Sequence, residues 1–224
     1  MLAILLLGPA FSSIGAADCP PEDCRLILRA YALGVDSRSS VVEDAAADPG
    51  VAAGASRLSL GAGGGWGLEV EYRFGRRWGL SGGAFFVDFD LGLALERGGR
   101  RGEDREGIGI SVLVVGPTFH LAPGRRADLY LSPRLAFVDF GTGLGDLVND
   151  EDPAHFMIFG ETHERDLSDA FAPGLEVGLD LPFAAGGRWG LHLAATYLDL
   201  ATDAGGPELQ VDPLDLSVGF WYRP

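Results

Sequence analysis

In the stretch WGLEVEYRF, residues 66–74, Trp66, Leu68, Val70, Tyr72 and Phe74 alternate with Gly67, Glu69, Glu71 and Arg73. A β-strand sends successive side chains to opposite faces, so the pattern predicts a strand with one apolar and one charged face. Eight segments repeat it: residues 25–36, 65–74, 78–88, 108–121, 129–140, 171–183, 189–200 and 211–222. Most are longer than the usual strand of about 5–6 residues and suit the about 9–11 that a tilted strand needs to cross a bilayer. No segment sustains a 3.6-residue apolar period, so no long helix is predicted.

The connections alternate in length. Residues 75–77, 123–128 and 184–188 form short turns, whereas 37–64, 91–107, 141–170 and 201–210 form long loops. An even strand count with short turns at one end and long loops at the other is the pattern of an outer-membrane barrel. Aromatic positions agree. Tyr72, Phe74, Trp78, Phe119, Trp189, Phe220 and Tyr222 cluster near the short-turn end on the apolar parity, and Trp66, Phe86, Phe137 and Tyr197 lie towards the loops. Trp66 and Phe74 are separated by roughly 26 Å along a strand, or about 20 Å after tilting, which suits two aromatic girdles around a hydrocarbon band. The prediction is an all-β fold: an eight-stranded antiparallel transmembrane barrel with short periplasmic turns and longer extracellular loops. Its apolar parity faces lipid and its charged parity faces inward.

Composition narrows the alternatives. Thirty-four glycines, many inside apolar segments, are unusual for soluble strands. The net charge of −15 argues against nucleic acid, whose phosphates need a basic face. Residues 1–17, beginning MLAILLLGPAFSSIGA, read as a secretory signal, with the barrel in 18–224 and a short hydrophobic tail as the alternative. CPPEDC follows. In an oxidising compartment Cys19 and Cys24 would close a small disulfide loop; two free thiols are the alternative.

The inward parity has two zones. Towards the short turns it carries Arg29, Glu69, Glu71, Arg73, Thr118, His120, Arg134, Glu176, Asp180, His192 and Arg223. Enclosed charges of both signs must pair, which predicts a structural salt-bridge plug, with a polar gate as the alternative. Towards the loops it carries Leu33, Val35, Phe85, Val87, Phe89, Val112, Val138, Phe140, Leu198 and Leu200. These residues either line a hydrophobic pocket at the mouth or fill a narrow interior.

Several stretches then look familiar. LILRAYALGVD, GLEVEYRFGRRWGLSGGAFF, VVGPTFHL, WGLHLAATYLDLATD and VDPLDLSVGFWYRP resemble, in order and spacing, strands of the OmpW family of eight-stranded outer-membrane barrels. The resemblance implies passive uptake of small hydrophobic molecules through a narrow apolar channel. By position it assigns the lining to Leu33, Phe85, Val87, Val138, Phe140 and Leu198. Members of that family usually end in phenylalanine, part of the signal read by the barrel-insertion machinery. Here the last residue is Pro224, leaving Phe220 and Tyr222 for that role.

Other constellations carry less. His155, Glu161, His163 and Glu164 have irregular spacing and read as a solvated loop rather than a metal site, although HFMIF is apolar enough to cover the mouth or touch lipid. ERGGRRGEDRE holds four arginines among acids, a mixed-charge loop with lipopolysaccharide phosphates as the alternative partner. GAGGGWG lacks the spacing of a nucleotide-binding loop. The expectation is therefore a bacterial outer-membrane barrel, not an enzyme, without cofactor or metal. Its partners would be outer-membrane lipid and lipopolysaccharide, small hydrophobic solutes and the insertion machinery. A non-conducting barrel acting through its extracellular loops is the competing function.

Overall fold

The computed structural model describes residues 25–36, 40–44, 55–123, 126–141, 154–165, 169–184, 187–203, 208–211 and 213–224. The expected signal and the Cys19–Cys24 pair lie outside them. Within them the chain is almost entirely strand. The strands are β1 (Arg25–Asp36), β2 (Ser40–Asp44), β3 (Ala55–Arg73), β4 (Trp78–Arg97), β5 (Arg100–Pro123), β6 (Asp128–Gly141) and β7 (Ala154–Ile158). Then follow β8 (Glu161–Arg165), β9 (Ala170–Pro182), β10 (Trp189–Leu198), β11 (Leu200–Asp203), β12 (Glu208–Val211) and β13 (Leu214–Tyr222).

Eight of these close a ring. Antiparallel pairing runs β1, β3, β4, β5, β6, β9, β10, β13 and back to β1. The closing seam is in register from Leu28↔Tyr222 to Asp36↔Leu214. Closure pairs the main-chain N–H and C=O groups between neighbours, the condition for a sheet to stand in hydrocarbon.

Parity sorts the two faces of the ring. Outward side chains are large, apolar and open, such as Leu113 at 57% and Leu216 at 63% exposure. Such surface is costly against water, at roughly 25 cal/mol per Å², and at home against lipid. Cross-strand aromatic pairs bound the band. Trp78 lies 4.8 Å from Phe119 and Trp189 4.3 Å from Tyr222 at the short-turn end. Trp66–Phe86 at 4.8 Å and Phe137–Phe171 at 5.1 Å mark the other end.

The inward face explains many strand glycines. Tyr31 opposes Gly67, Tyr130 opposes Gly178 and Trp221 opposes Gly190 in the ladder. A Cβ on these glycines would come within 2.5, 2.1 and 2.3 Å of the facing ring. An eight-stranded interior has little room, and a glycine opposite each large ring supplies it.

The outer ends correct the expected loops. Residues 91–107 are mostly strand: β4 and β5 stay paired up to Arg97↔Arg100. They turn through Gly98 and Gly99, both at positive φ (59° and 75°), a conformation that glycine adopts without strain. β3 likewise begins at Ala55 and pairs with both β2 and β4. Above the lipid the outward positions become charged, so the two-sided signal fades, but inward Leu58, Leu60, Leu91 and Leu93 stay buried. Residues 141–170 contain the β7–β8 hairpin and 201–210 contain parts of β11–β12. Wall strands β10 and β13 are shorter than the expected 189–200 and 211–222.

Candidate functional site

The inward face of the lower barrel forms one ionic layer. Arg29 of β1 donates to Glu69 (2.7 Å) and Glu71 (2.6 Å) of β3 and to Asp180 (2.8 Å) of β9. Its guanidinium also lies 4.8 Å from the centre of the Tyr130 ring. Arg134 of β6 donates to Glu69 and to Glu176. Arg73 donates to Glu71 (2.9 Å) and Asp128 (2.7 Å). The seven residues expected as a plug (Arg29, Glu69, Glu71, Arg73, Arg134, Glu176 and Asp180) are thus all buried and joined in one network.

Histidines and hydroxyls extend it. His120 sits between Glu71 (2.7 Å) and Asp128 (2.9 Å), and His192 lies 2.9 Å from Asp180. Tyr130 donates to Glu176 at 2.7 Å and Thr196 to its other oxygen at 3.1 Å. Such pairing matters because truncating one member of a buried ionic network leaves its partners' charges uncompensated. Chemically the layer holds buried charges of both signs in paired form.

Sequence reasoning did not name Asp128, Tyr130, Ser132, Thr196 or Asp215, all of which point inward and are buried. Asp128 was expected in a turn but is the first residue of β6. The signal was available: Asp128, Tyr130, Ser132 and Arg134 share one parity.

On the same strands, one or two inward positions further from the short turns, the lining becomes apolar. Leu33, Phe85, Val87, Val138 and Leu198 belong to one buried cluster, each at 7% exposure or less, with Phe140 packed against it. The cluster continues through Leu91 and Leu93 and takes in Phe156 and Ile158 from the β7–β8 hairpin. The expected channel lining is therefore brought together, and it is closed to water as it stands.

Beside the ionic layer the β5–β6 ladder has a gap. β5 and β6 are in ladder register from Gly109↔Gly141 to Val115↔Leu135 and resume at Phe119↔Leu131. Pro117 and Pro133 face each other in the interval, and neither can donate a main-chain hydrogen bond. The Ser132 hydroxyl donates to the Pro117 carbonyl at 3.0 Å. Pro173, by contrast, lies within the continuous β6–β9 register, opposite Leu135.

A closed antiparallel ring with an apolar outer band and a sealed charged interior is built to stand in a membrane. No family model matches the chain, and no curated protein matches it by sequence. Solved structures do. The outer membrane protein OprG from Pseudomonas aeruginosa aligns with a TM-score of 0.62 at 16% identity, covering 90% of this chain and 96% of OprG. Outer membrane protein AlkL in DMPC bilayers aligns with a TM-score of 0.61 at 16% identity, covering 95% of each chain. The fold is that of an eight-stranded bacterial outer-membrane barrel. Both neighbours are similar to the OmpW family that the sequence resembles. At 16% identity the likeness speaks for the barrel and assigns no residue its role.

Proposed function

We propose that this barrel is a channel for passive uptake of small hydrophobic molecules across the outer membrane. The observation behind the reading is the buried apolar cluster of Leu33, Phe85, Val87, Val138 and Leu198, with Phe140 packed against it, beside the ionic layer; the reading takes this cluster as the lining of a chamber that a solute opens. An apolar solute gains free energy on entering such a chamber from water, and crossing the charged network below would forfeit that gain. The corollary is lateral exit through the wall into the membrane. Its proposed place is the ladder gap at Pro117 and Pro133, beside the ionic layer that the solute would otherwise have to cross. Outer-membrane lipid and lipopolysaccharide are the proposed surroundings, and Phe220 and Tyr222 the proposed mark for the insertion machinery.

A second reading is favoured by the near-complete burial of the chamber lining: a non-conducting barrel that acts through its extracellular parts. Uptake of a small hydrophobic dye into cells separates the two, comparing the parent with a Phe85→Asp, Phe140→Asp variant at equal folded levels in the outer membrane. The channel reading expects uptake above that of empty cells for the parent and its loss in the variant. Equal uptake in parent, variant and empty cells would favour the non-conducting barrel.

A further inference from the structure

The β7–β8 hairpin stands apart from the wall. Its two strands pair with each other from Ala154↔Arg165 to Ile158↔Glu161 and form a separate two-stranded sheet. Its turn is tight, with Phe159 at φ 57° and Gly160 at φ 79°. Alternation along β7 gives it two faces. Phe156 and Ile158 are buried, at 1% and 2% exposure, within the apolar cluster that continues into the chamber, while Met157 at 63% faces outward.

The hairpin is fastened to the extended part of β5 by side chains. The main-chain N–H of Met157 donates to Asp104 at 2.7 Å, and that of His155 donates to Glu106. Arg97 on β4 adds an ion pair with Glu161 at 3.3 Å, exposed at both ends. Ile158 lies over Gly102, where a Cβ would come within 2.6 Å of its Cγ2. Carboxylates on the neighbouring strand thus take the N–H groups that a ladder would otherwise use. Among the described residues the two hairpin strands pair in a ladder with each other and not with a strand of the wall.

We propose that the β7–β8 hairpin is a removable cover of the apolar chamber, clasped by Asp104 and Glu106, and that an apolar solute is admitted by displacing Phe156 and Ile158. The proposal rests on the channel reading, because it names the step that opens that site. It also accounts for a chamber that is apolar throughout yet closed to water. The arriving solute replaces the apolar surface that the two side chains give up, so opening leaves the chamber dry.

Two measurements on the full-length folded protein test it, each with its own readout. The first is hydrogen exchange in lipid vesicles. The amides of His155 and Met157 should exchange through local opening, faster than the β4–β5 ladder amides above the lipid; exchange as slow as that ladder overturns a removable cover. The second is a lock. A Gly102→Cys, Ile158→Cys pair, in a background with Cys19→Ser and Cys24→Ser, places two Cβ atoms within reach of a disulfide, which needs about 3.5–4.5 Å. Dye uptake by the pair should be present when it is reduced, fall to the level of empty cells on oxidation, and return with reductant. Uptake that ignores the lock overturns the gating step. A background without uptake is a failure of the channel reading, and the exchange measurement still decides whether the hairpin opens.

Discussion

Arg29 is the residue on which the ionic layer converges. Its side chain is fully buried and reaches three carboxylates on two other strands. Arg29→Ala leaves Glu69, Glu71 and Asp180 without that cation, and breaking a buried ionic network in this way costs about 3–5 kcal/mol. The expected result is a clear drop in the urea midpoint of the folded barrel, with Arg29→Lys falling between parent and alanine. Lysine keeps the charge but cannot reproduce the planar fork. Unchanged midpoints in both variants would show that the layer adds little to stability. Residues of this kind were legible in the sequence wherever alternation was clean: Arg29, Glu69, Glu71 and Arg73 stand on one parity among apolar neighbours. Asp128 shares the inward parity of Tyr130 and Arg134, but Pro123 and Gly124 nearby drew it into the expected turn. Sequence alone does not tell that Tyr130 must lie over Gly178, a pairing set by the register of β6 against β9.

At the scale of elements, strand existence was readable and strand ends were not. All eight wall strands announce themselves by alternation, but the upper parts of β3, β4 and β5 carry ordinary charged outward positions and look like loops. In that extension Asp104 accepts N–H bonds from Met157 and from Arg105 (2.9 Å), which hold its carboxyl below the ordinary range. A depressed carboxyl gives its full contribution above its unfolded pKa, about 3.9 for aspartate, and loses it as pH falls through the lower folded value. Docking of the hairpin should therefore be insensitive to pH near neutrality and weaken in strong acid. A fluorine label on Phe156, followed by NMR, should show one acid step that Asp104→Asn removes. A step unchanged in that variant would assign the titration to another group.

For the whole molecule, one interruption of the β5–β6 ladder falls where two prolines meet, apart from the register shifts at Leu60/Gly63 and His120/Ala122. Pro117→Ala with Pro133→Ala returns two main-chain donors to that interval, each hydrogen bond being worth about 0.5–1.5 kcal/mol. The doubly substituted barrel should resist urea better than the parent, and on the lateral-exit reading it should pass hydrophobic dye more slowly. A faster or unchanged flux would rule this interval out as the exit. That β5 and β6 are neighbours was legible from the short turn between them, whereas the placing of Pro117 opposite Pro133 is set by their register.

Closure itself bears on how the barrel can be assembled. Tyr31 lies opposite Gly67 on β3 and opposite Gly219 on β13, its ring against the first and its Cα and Cβ against the second. A Cβ on either would sit 2.5 or 2.6 Å from Tyr31 atoms. Slide the first strand by two residues against either neighbour, and Tyr31 meets a side chain where it needs a space: Glu69 or Gly65 on one side, Trp221 or Ser217 on the other. Only the slip towards Gly65 finds another glycine, and β13 offers no matching one. The present register is the one in which Tyr31 faces glycine on both neighbours, and a first strand out of step by two residues loses at least one of those partners.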